Sequence, residues 1–272
     1  MIILMLILLG LSFGSFTNAL VWRLHELDKK KSKYSRNRLS IARGRSMCVH
    51  CGHELAPRDL VPVLSWLLLW GKCRYCRVAI PDTPLPEVVT PLLFVVSYLV
   101  WPYGFSGVGL FQFIVWLVIL VGFVALSMYD YRWKLLPNKI VYPVGAVVLV
   151  QVIAEIVAGG GLSRFFNAAW GIAVGAGIFE ALYRLSKGRL IGGGDIRLGV
   201  VYGLLLGGPV QSMLCIFLAS VFGTLVAVPS LLRGNTKATT KIPFGPYLIA
   251  ATIVVYLWGA DIVQWYRSVS GI

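Results

Sequence analysis

VGLFQFIVWLVILVGFVALSM, residues Val108–Met128, runs without one charged side chain and is followed at once by Tyr129-Asp130-Tyr131-Arg132-Trp133-Lys134. Wound as a helix at about 1.5 Å per residue, it is long enough to cross roughly 30 Å of hydrocarbon. A helix of this composition belongs in a bilayer, and the charged cluster after it marks where it leaves.

Seven further apolar runs follow the same logic. They are Ile2–Trp22, Leu85–Trp101, Ile140–Val157, Phe165–Leu185, Leu198–Gly208, Ser212–Leu232 and Pro246–Ala260. Hydrophobic residues make up 58% of the 272, and only 13% are charged, about half the soluble norm. The fold class is an all-α polytopic membrane protein of about eight transmembrane helices. The first run has no basic segment ahead of it and no small-residue cleavage site after it, so it reads as a retained helix. The sixth is short and stops at Gly207-Gly208-Pro209.

Loop charge orients the spans. The connection 23–84 holds thirteen lysines and arginines, among them Arg23, Lys30, Lys31 and Arg45. The connections 129–139, 186–197 and 233–245 add Arg132, Lys134 and Lys139, then Lys187, Arg189 and Arg197, then Arg233, Lys237 and Lys241. The opposite side carries Arg164 and Arg267. Basic residues collect in cytoplasmic loops, so these connections are placed in the cytoplasm and both termini outside. The net charge of +14 then reflects membrane topology and lipid contact, and nucleic acid is not an expected partner.

Residues 23–84 form the one sizeable polar region. Its basic stretch Leu27–Arg45 lacks helical periodicity and reads as a solvated arm near anionic headgroups, or else as a contact surface for a substrate or partner. Beyond it, Cys48-Val-His-Cys51 and Cys73-Arg-Tyr-Cys76 give two C-x-x-C hooks. Hooks at this spacing suit one tetrahedral ion. Disulfides are the alternative, but a cytoplasmic loop keeps its thiols reduced. Four thiolates close a zinc site, which makes it structural, a staple for a loop with little core of its own. His50 and His53 are candidate substitute ligands or exposed neighbours. Cys215, in an apolar run, reads as a small core residue.

Acidic residues beside membrane spans are costly and ask for a reason. Asp130 lies just past the third span. Asp195 lies ahead of the sixth, in Ile191-Gly-Gly-Gly-Asp195-Ile-Arg-Leu198. Topology puts both at the cytoplasmic face. Two carboxylates sharing a site cannot both ionise cheaply, so one keeps a proton while the other acts as base on a water. That is peptide hydrolysis without a metal or a nucleophilic side chain. Gly192, Gly193 and Gly194 would leave room for an extended substrate backbone. Taken singly, each aspartate also suits a helix cap or a loop ion pair, such as Asp130 with Arg132 or Lys134. Glu180 suits pairing with Arg184 one turn on, and Gly171 with Gly175 suits helix packing.

These segments together resemble the type IV prepilin leader peptidases, within the Gly-x-Gly-Asp membrane aspartyl proteases. The resemblance runs through Gly14-Ser-Phe-Thr-Asn18, Arg23-Leu24, both cysteine hooks, Pro62-Val-Leu-Ser-Trp66-Leu67, Pro84-Leu85-x-Glu87, Asp130, Leu136-Pro137-Asn138, Gly192–Leu198 and Ile242-Pro-Phe-Gly-Pro246. It implies catalytic roles for Asp130 and Asp195. The implied reaction removes the basic leader of prepilins or pseudopilins after a glycine, at the cytoplasmic face of the bacterial inner membrane. It further implies N-methylation of the new N-terminal residue from S-adenosylmethionine, linked to the four-cysteine loop. Against the family pattern, Ile80–Thr83 is shortened, Pro86 stands beside Glu87, and His25 replaces a common proline. The expected organisation is a first helix (1–22), a methyltransferase-linked loop domain (23–84) and a membrane peptidase core (85–272). The alternatives are a peptidase without methyl transfer, and a non-enzymatic assembly factor or transporter. A transporter usually places its acids at mid-membrane between repeated halves, and this sequence does neither.

Overall fold

A computed structural model describes residues 1–29, 32–41, 43–189, 191–232 and 243–271. The basic residues Lys30, Lys31, Arg233, Lys237 and Lys241, and Ile242 of the last quoted motif, lie outside the described residues. The chain forms two compact units, 1–99 and 100–272.

Nine α-helices are present among the described residues. The first unit holds α1 (Ile2–Asp28), the single-turn α2 (Leu64–Leu68) and α3 (Leu85–Leu99). The second holds α4 (Gly107–Trp133), α5 (Asn138–Glu155), α6 (Gly161–Leu185), α7 (Gly193–Leu206), α8 (Pro209–Leu232) and α9 (Gly245–Ser270). Apart from α2, each helix falls on one of the expected apolar runs. Five segments are long and apolar enough to cross a bilayer: α1, α4, α5 with α6, the body of α8, and α9. The helices α5 and α6 count as one because a π-turn, Ile156–Gly160, joins them. Gly159 breaks that turn at φ 117°, a conformation only glycine enters freely. The apolar α3 and the short α7 fall below the length of a full crossing.

In the first unit, α1 and α3 pack through glycine. A Cβ at Gly10 would lie 2.4 Å from Pro91 Cα, and one at Gly14 2.4 Å from the Pro86 carbonyl. Small residues bring membrane helices to backbone contact where lipid gives no hydrophobic drive between them. Most described residues of the basic stretch Leu27–Arg45 are exposed, as expected of a solvated arm, but the arm is tied to α1. Arg23 donates to the carbonyls of Ser40 at 3.0 Å and Gly44 at 2.9 Å, and Leu39 is buried.

In the second unit, α6 and α7 are the tightest pair. Gly171 lies on Gly203 and Gly175 on Gly199, with no room for a Cβ on either side. The Tyr202 hydroxyl donates to the Gly175 carbonyl at 3.1 Å. The expected packing role of Gly171 and Gly175 is therefore seen directly. The far end of α7 is held by Arg164, which pairs with Glu155 at 2.5 Å and reaches the carbonyls of Leu204 and Leu205. Cys215 is fully buried, 3.4 Å from the Thr252 hydroxyl. Glu180 pairs with Arg184 at 2.6 Å, but its side chain is 38% exposed rather than buried.

Candidate active site and metal centre

The expected aspartates lie inside helices, not beyond them. The helix α4 continues past its apolar run, so Asp130 sits in its last turns with 5% exposure. Lys134 ends α4 in the left-handed region, its N–H bonded to the Asp130 carbonyl at 2.8 Å. The Asp130 carboxylate faces the start of α9, where the Gly245 N–H donates to Oδ2 at 3.0 Å. A helix N-terminus offers unpaired N–H groups and a positive dipole end, so it favours negative charge on Asp130. A Cβ on residue 245 would lie 2.6 Å from that Oδ2, so only glycine leaves the carboxylate in this position. Gly245 lies in the quoted segment Ile242-Pro-Phe-Gly-Pro246, which by itself does not tell that the glycine meets Asp130.

Asp195 occupies the first turn of α7, within the 186–197 connection and ahead of the apolar segment. Its Oδ2 accepts the Gly192 N–H at 3.2 Å, closing the turn that starts the helix. Burial foremost, and the charge of Asp130 beside it, push its carboxyl up to about 6. The structure thus couples the two expected carboxylates electrostatically, each accepting a backbone N–H at the start of a helix.

The three glycines divide. At Gly193 a Cβ would meet nothing within 4 Å. At Gly192 it would meet only Asp195 Oδ2, at 3.5 Å, and the neighbouring backbone. Gly194 departs from the expected open approach: its flank is filled by Leu136, whose Cβ lies 2.9 Å from where its own would be. Gly194 is small so that the α4–α5 turn can rest on α7. In the same turn Asn138 accepts from Arg197 at 2.5 Å. Leu136 and Asn138 therefore seat the N-terminus of α7.

The cysteines converge within the first unit. All four Sγ atoms lie within 4.8 Å of one another, and Cys48 and Cys76 are 3.8 Å apart. Four sulfurs bound tetrahedrally at ~2.3 Å would stand about 3.8 Å apart, whereas a disulfide needs ~2.05 Å. All are free thiols. The second hook repeats the first bond for bond. The Cys48 N–H reaches His53 O as the Cys73 N–H reaches Val78 O, and the Gly52 N–H reaches Cys48 O as the Arg77 N–H reaches Cys73 O, each at 2.9 Å. Burial works against ionising Cys73, but the N–H groups of Cys76 and Tyr75 outweigh it and leave the thiol at about 7. Burial pushes Cys48 up to about 12, so an arriving dication must displace its proton. His50 and His53 are exposed and outside the cluster, with His53 against the Tyr75 ring at 3.7 Å. The donor set fits a single tetrahedral ion held by cysteine alone.

Residues 8–101 match the bacterial peptidase A24 N-terminal domain, and residues 117–228 match the type IV leader peptidase family. A prepilin leader peptidase/N-methyltransferase of Pseudomonas aeruginosa is 33% identical over 97% of this chain and 93% of its own length. The chain belongs to the type IV leader peptidase family. A prepilin leader peptidase/N-methyltransferase of Stutzerimonas stutzeri is 32% identical, over 96% of this chain and 92% of its own. One of Bacillus subtilis is 30% identical, over 84% and 87%. No solved structure matches the chain. Within this family, the coupled aspartates and the four-cysteine cluster lie in the two separately matched segments.

Proposed function

We propose that the chain is a prepilin leader peptidase of the bacterial inner membrane that also N-methylates the residue its cut exposes. The observation that carries the peptidase reading is the coupled pair of Asp130, met by the Gly245 N–H, and Asp195, whose carboxyl is pushed up to about 6. In this reading Asp130 is the base. It takes a proton from a water poised at the scissile carbonyl, while Asp195 donates to the carbonyl oxygen. The bond cut follows a glycine, a poor helix former that eases unwinding of an otherwise helical substrate. The open flank at Gly193 is where that extended segment passes.

Loop charge supports eight spans, with the dyad and the cysteine loop in the cytoplasm and both termini outside. The basic leader of a prepilin or pseudopilin then stays in the cytoplasm and its apolar stretch lies among the helices. The cysteines hold zinc, as a structural staple. The full-length names of the relatives support the second activity, assigned here to the N-terminal region with the cysteine loop. There the new N-terminal amine, neutral, takes the methyl group of S-adenosylmethionine. An N–C bond forms, the S–C bond breaks leaving a thioether, and the methylated ammonium sheds one proton to water.

The test is incubation of the purified protein with a prepilin, with and without S-adenosylmethionine, read by intact mass. Leader loss is expected in both, and a gain of one methyl only with the donor. Asp130→Asn and Asp195→Asn should each slow cleavage by about 10³-fold or more, since general acid–base groups contribute ~10²–10⁴. Cleavage by either variant near the wild-type rate refutes the dyad.

A further inference from the structure

The first unit contains a cavity bounded by α1, both cysteine hooks, α2 and the first turn of α3. It holds about 170 Å³ and is open to solvent, so an occupant can enter it from outside the protein. Two polar atoms buried in its walls have no partner: Asn18 Oδ1, an acceptor, and Trp66 Nε1, a donor. Buried polar atoms are nearly always paired, so an orphan in a cavity wall points to a ligand.

The surrounding chain fixes both groups. Asn18 Nδ2 donates to the Thr83 carbonyl at 3.2 Å, which leaves its oxygen unpartnered in the wall. The Trp66 ring is backed by Gly71, where a Cβ would lie 3.0 Å from the indole. A third wall group, Glu87, is anchored by one oxygen. Its Oε2 accepts the Val63 N–H at 2.5 Å, which leaves Oε1 for an occupant. Val63 is β-branched yet sits at φ 61°, a genuine outlier for such a residue. Strain of this kind persists where the surroundings over-determine a residue, and it clusters at ligand clamps.

The lining selects the ligand's chemistry. Its three arginines are engaged by the protein, Arg23 with the Ser40 and Gly44 carbonyls, Arg45 with Glu54 and Arg74 with Asp59, which leaves the Glu87 carboxylate and the Asn18 amide oxygen as acceptors, an indole N–H as donor, and the ring surfaces of Trp22 and Trp66. A sulfonium nucleoside matches each of these. Its cation suits carboxylates and indole faces, its ribose diol and ammonium supply donors, and its purine supplies ring acceptors and a stacking face. Resting on the methyltransferase reading above, we propose that this cavity is the S-adenosylmethionine site, with Asn18, Trp66 and Glu87 as its polar contacts. The cysteine hooks form part of its wall through Cys48 and Cys73, which gives the metal staple a purpose in shaping it.

Full-length protein in lipid nanodiscs is titrated with S-adenosylmethionine by calorimetry. Glu87→Gln should weaken binding about tenfold or more, and Trp66→Phe, which keeps a ring and removes the N–H, several-fold. Asn18→Ala should weaken it comparably. Zinc content and melting profile report that each variant is folded. Binding by all three folded variants at wild-type affinity overturns the site, even if the wild-type protein methylates its product, in which case the methyltransferase reading stands and the donor binds elsewhere. A wild-type protein that neither binds the donor nor methylates overturns both. Displacement of the donor by vesicles of phosphatidylethanolamine would reassign the cavity to a lipid ammonium headgroup and refute the nucleoside proposal.

Discussion

Gly245→Ala is the sharpest perturbation of the peptidase site, because it leaves both carboxylates in place. The added methyl carbon would lie 2.6 Å from Asp130 Oδ2 and 3.2 Å from Cγ, closer than a non-bonded carbon and oxygen approach. Gly245 is the first residue of α9 and is not at positive φ. Alanine therefore fits the backbone, and it trims unfolded-state entropy by about 0.4–1 kcal/mol in the stabilising direction. The damage falls on the carboxylate, which must turn away and give up the Gly245 N–H at 3.0 Å. A hydrogen bond to a charged group is worth about 1.5–3 kcal/mol, or roughly 10- to 150-fold in rate at 1.36 kcal/mol per decade. Misplacing a reacting group by ~1 Å costs about 10²-fold on its own. The expectation is a fall of about 100-fold in kcat/KM for prepilin cleavage, with an unchanged or slightly raised melting temperature. Gly177→Ala, where a Cβ meets nothing within 4 Å, is the control and should cleave as wild type. If Gly245→Ala processes within threefold of wild type, the N–H of α9 does not position Asp130.

Three further outcomes follow from the same geometry. Purified protein should carry about one zinc per chain by elemental analysis, lost in Cys48→Ser and in Cys76→Ser, and a native Cys51–Cys73 disulfide would contradict the four-thiolate site. The kcat/KM profile should fall as pH rises past about 6, where free-enzyme Asp195 gives up the proton it must donate. A profile flat from pH 5 to 8 would remove Asp195 as the acid. Gly194→Leu should abolish cleavage by driving Leu136 and the α4–α5 turn off α7, and a substrate cleaved normally by this variant would show that the contact does not position Asp195.

The helices were legible because hydrocarbon admits few alternatives, so every expected apolar run carries a helix. Their ends were not. Hydropathy marks where the bilayer stops, whereas backbone hydrogen bonding continues: α1 runs to Asp28 and α9 to Ser270. The same difference moves Asp130 from a loop into a buried last turn. The cysteines were legible because two C-x-x-C hooks encode their own geometry. The segment holding Gly245 was legible but the glycine's role was not, since it depends on a carboxylate 115 positions earlier in the chain. Gly194 is ambiguous in the sequence for a related reason: a glycine announces that a side chain is unwelcome, but not whether a substrate or Leu136 takes the space.

The helix α7 shows how a membrane protein can hold one carboxylate still and yet admit a substrate. At its start Gly194 rests on Leu136, and Arg197 bonds Asn138. Along its length Gly199 and Gly203 seat against the backbone of α6, a contact that depends on missing side chains and so resists sliding. At its end Arg164 lies across the Leu204 and Leu205 carbonyls, where a cation also suits the helix dipole. Gly207 makes that possible, as a Cβ there would lie 2.2 Å from the guanidinium. A helix gripped at both ends and along one face carries Asp195 on a backbone that the rest of the unit holds in place. Gly193 is the position in its first turn whose flank the protein leaves unfilled. Neighbouring glycines thus differ in what surrounds them, Gly194 closed by Leu136 and Gly193 left open, and in the proposed peptidase the first would place the acid and the second would admit the peptide.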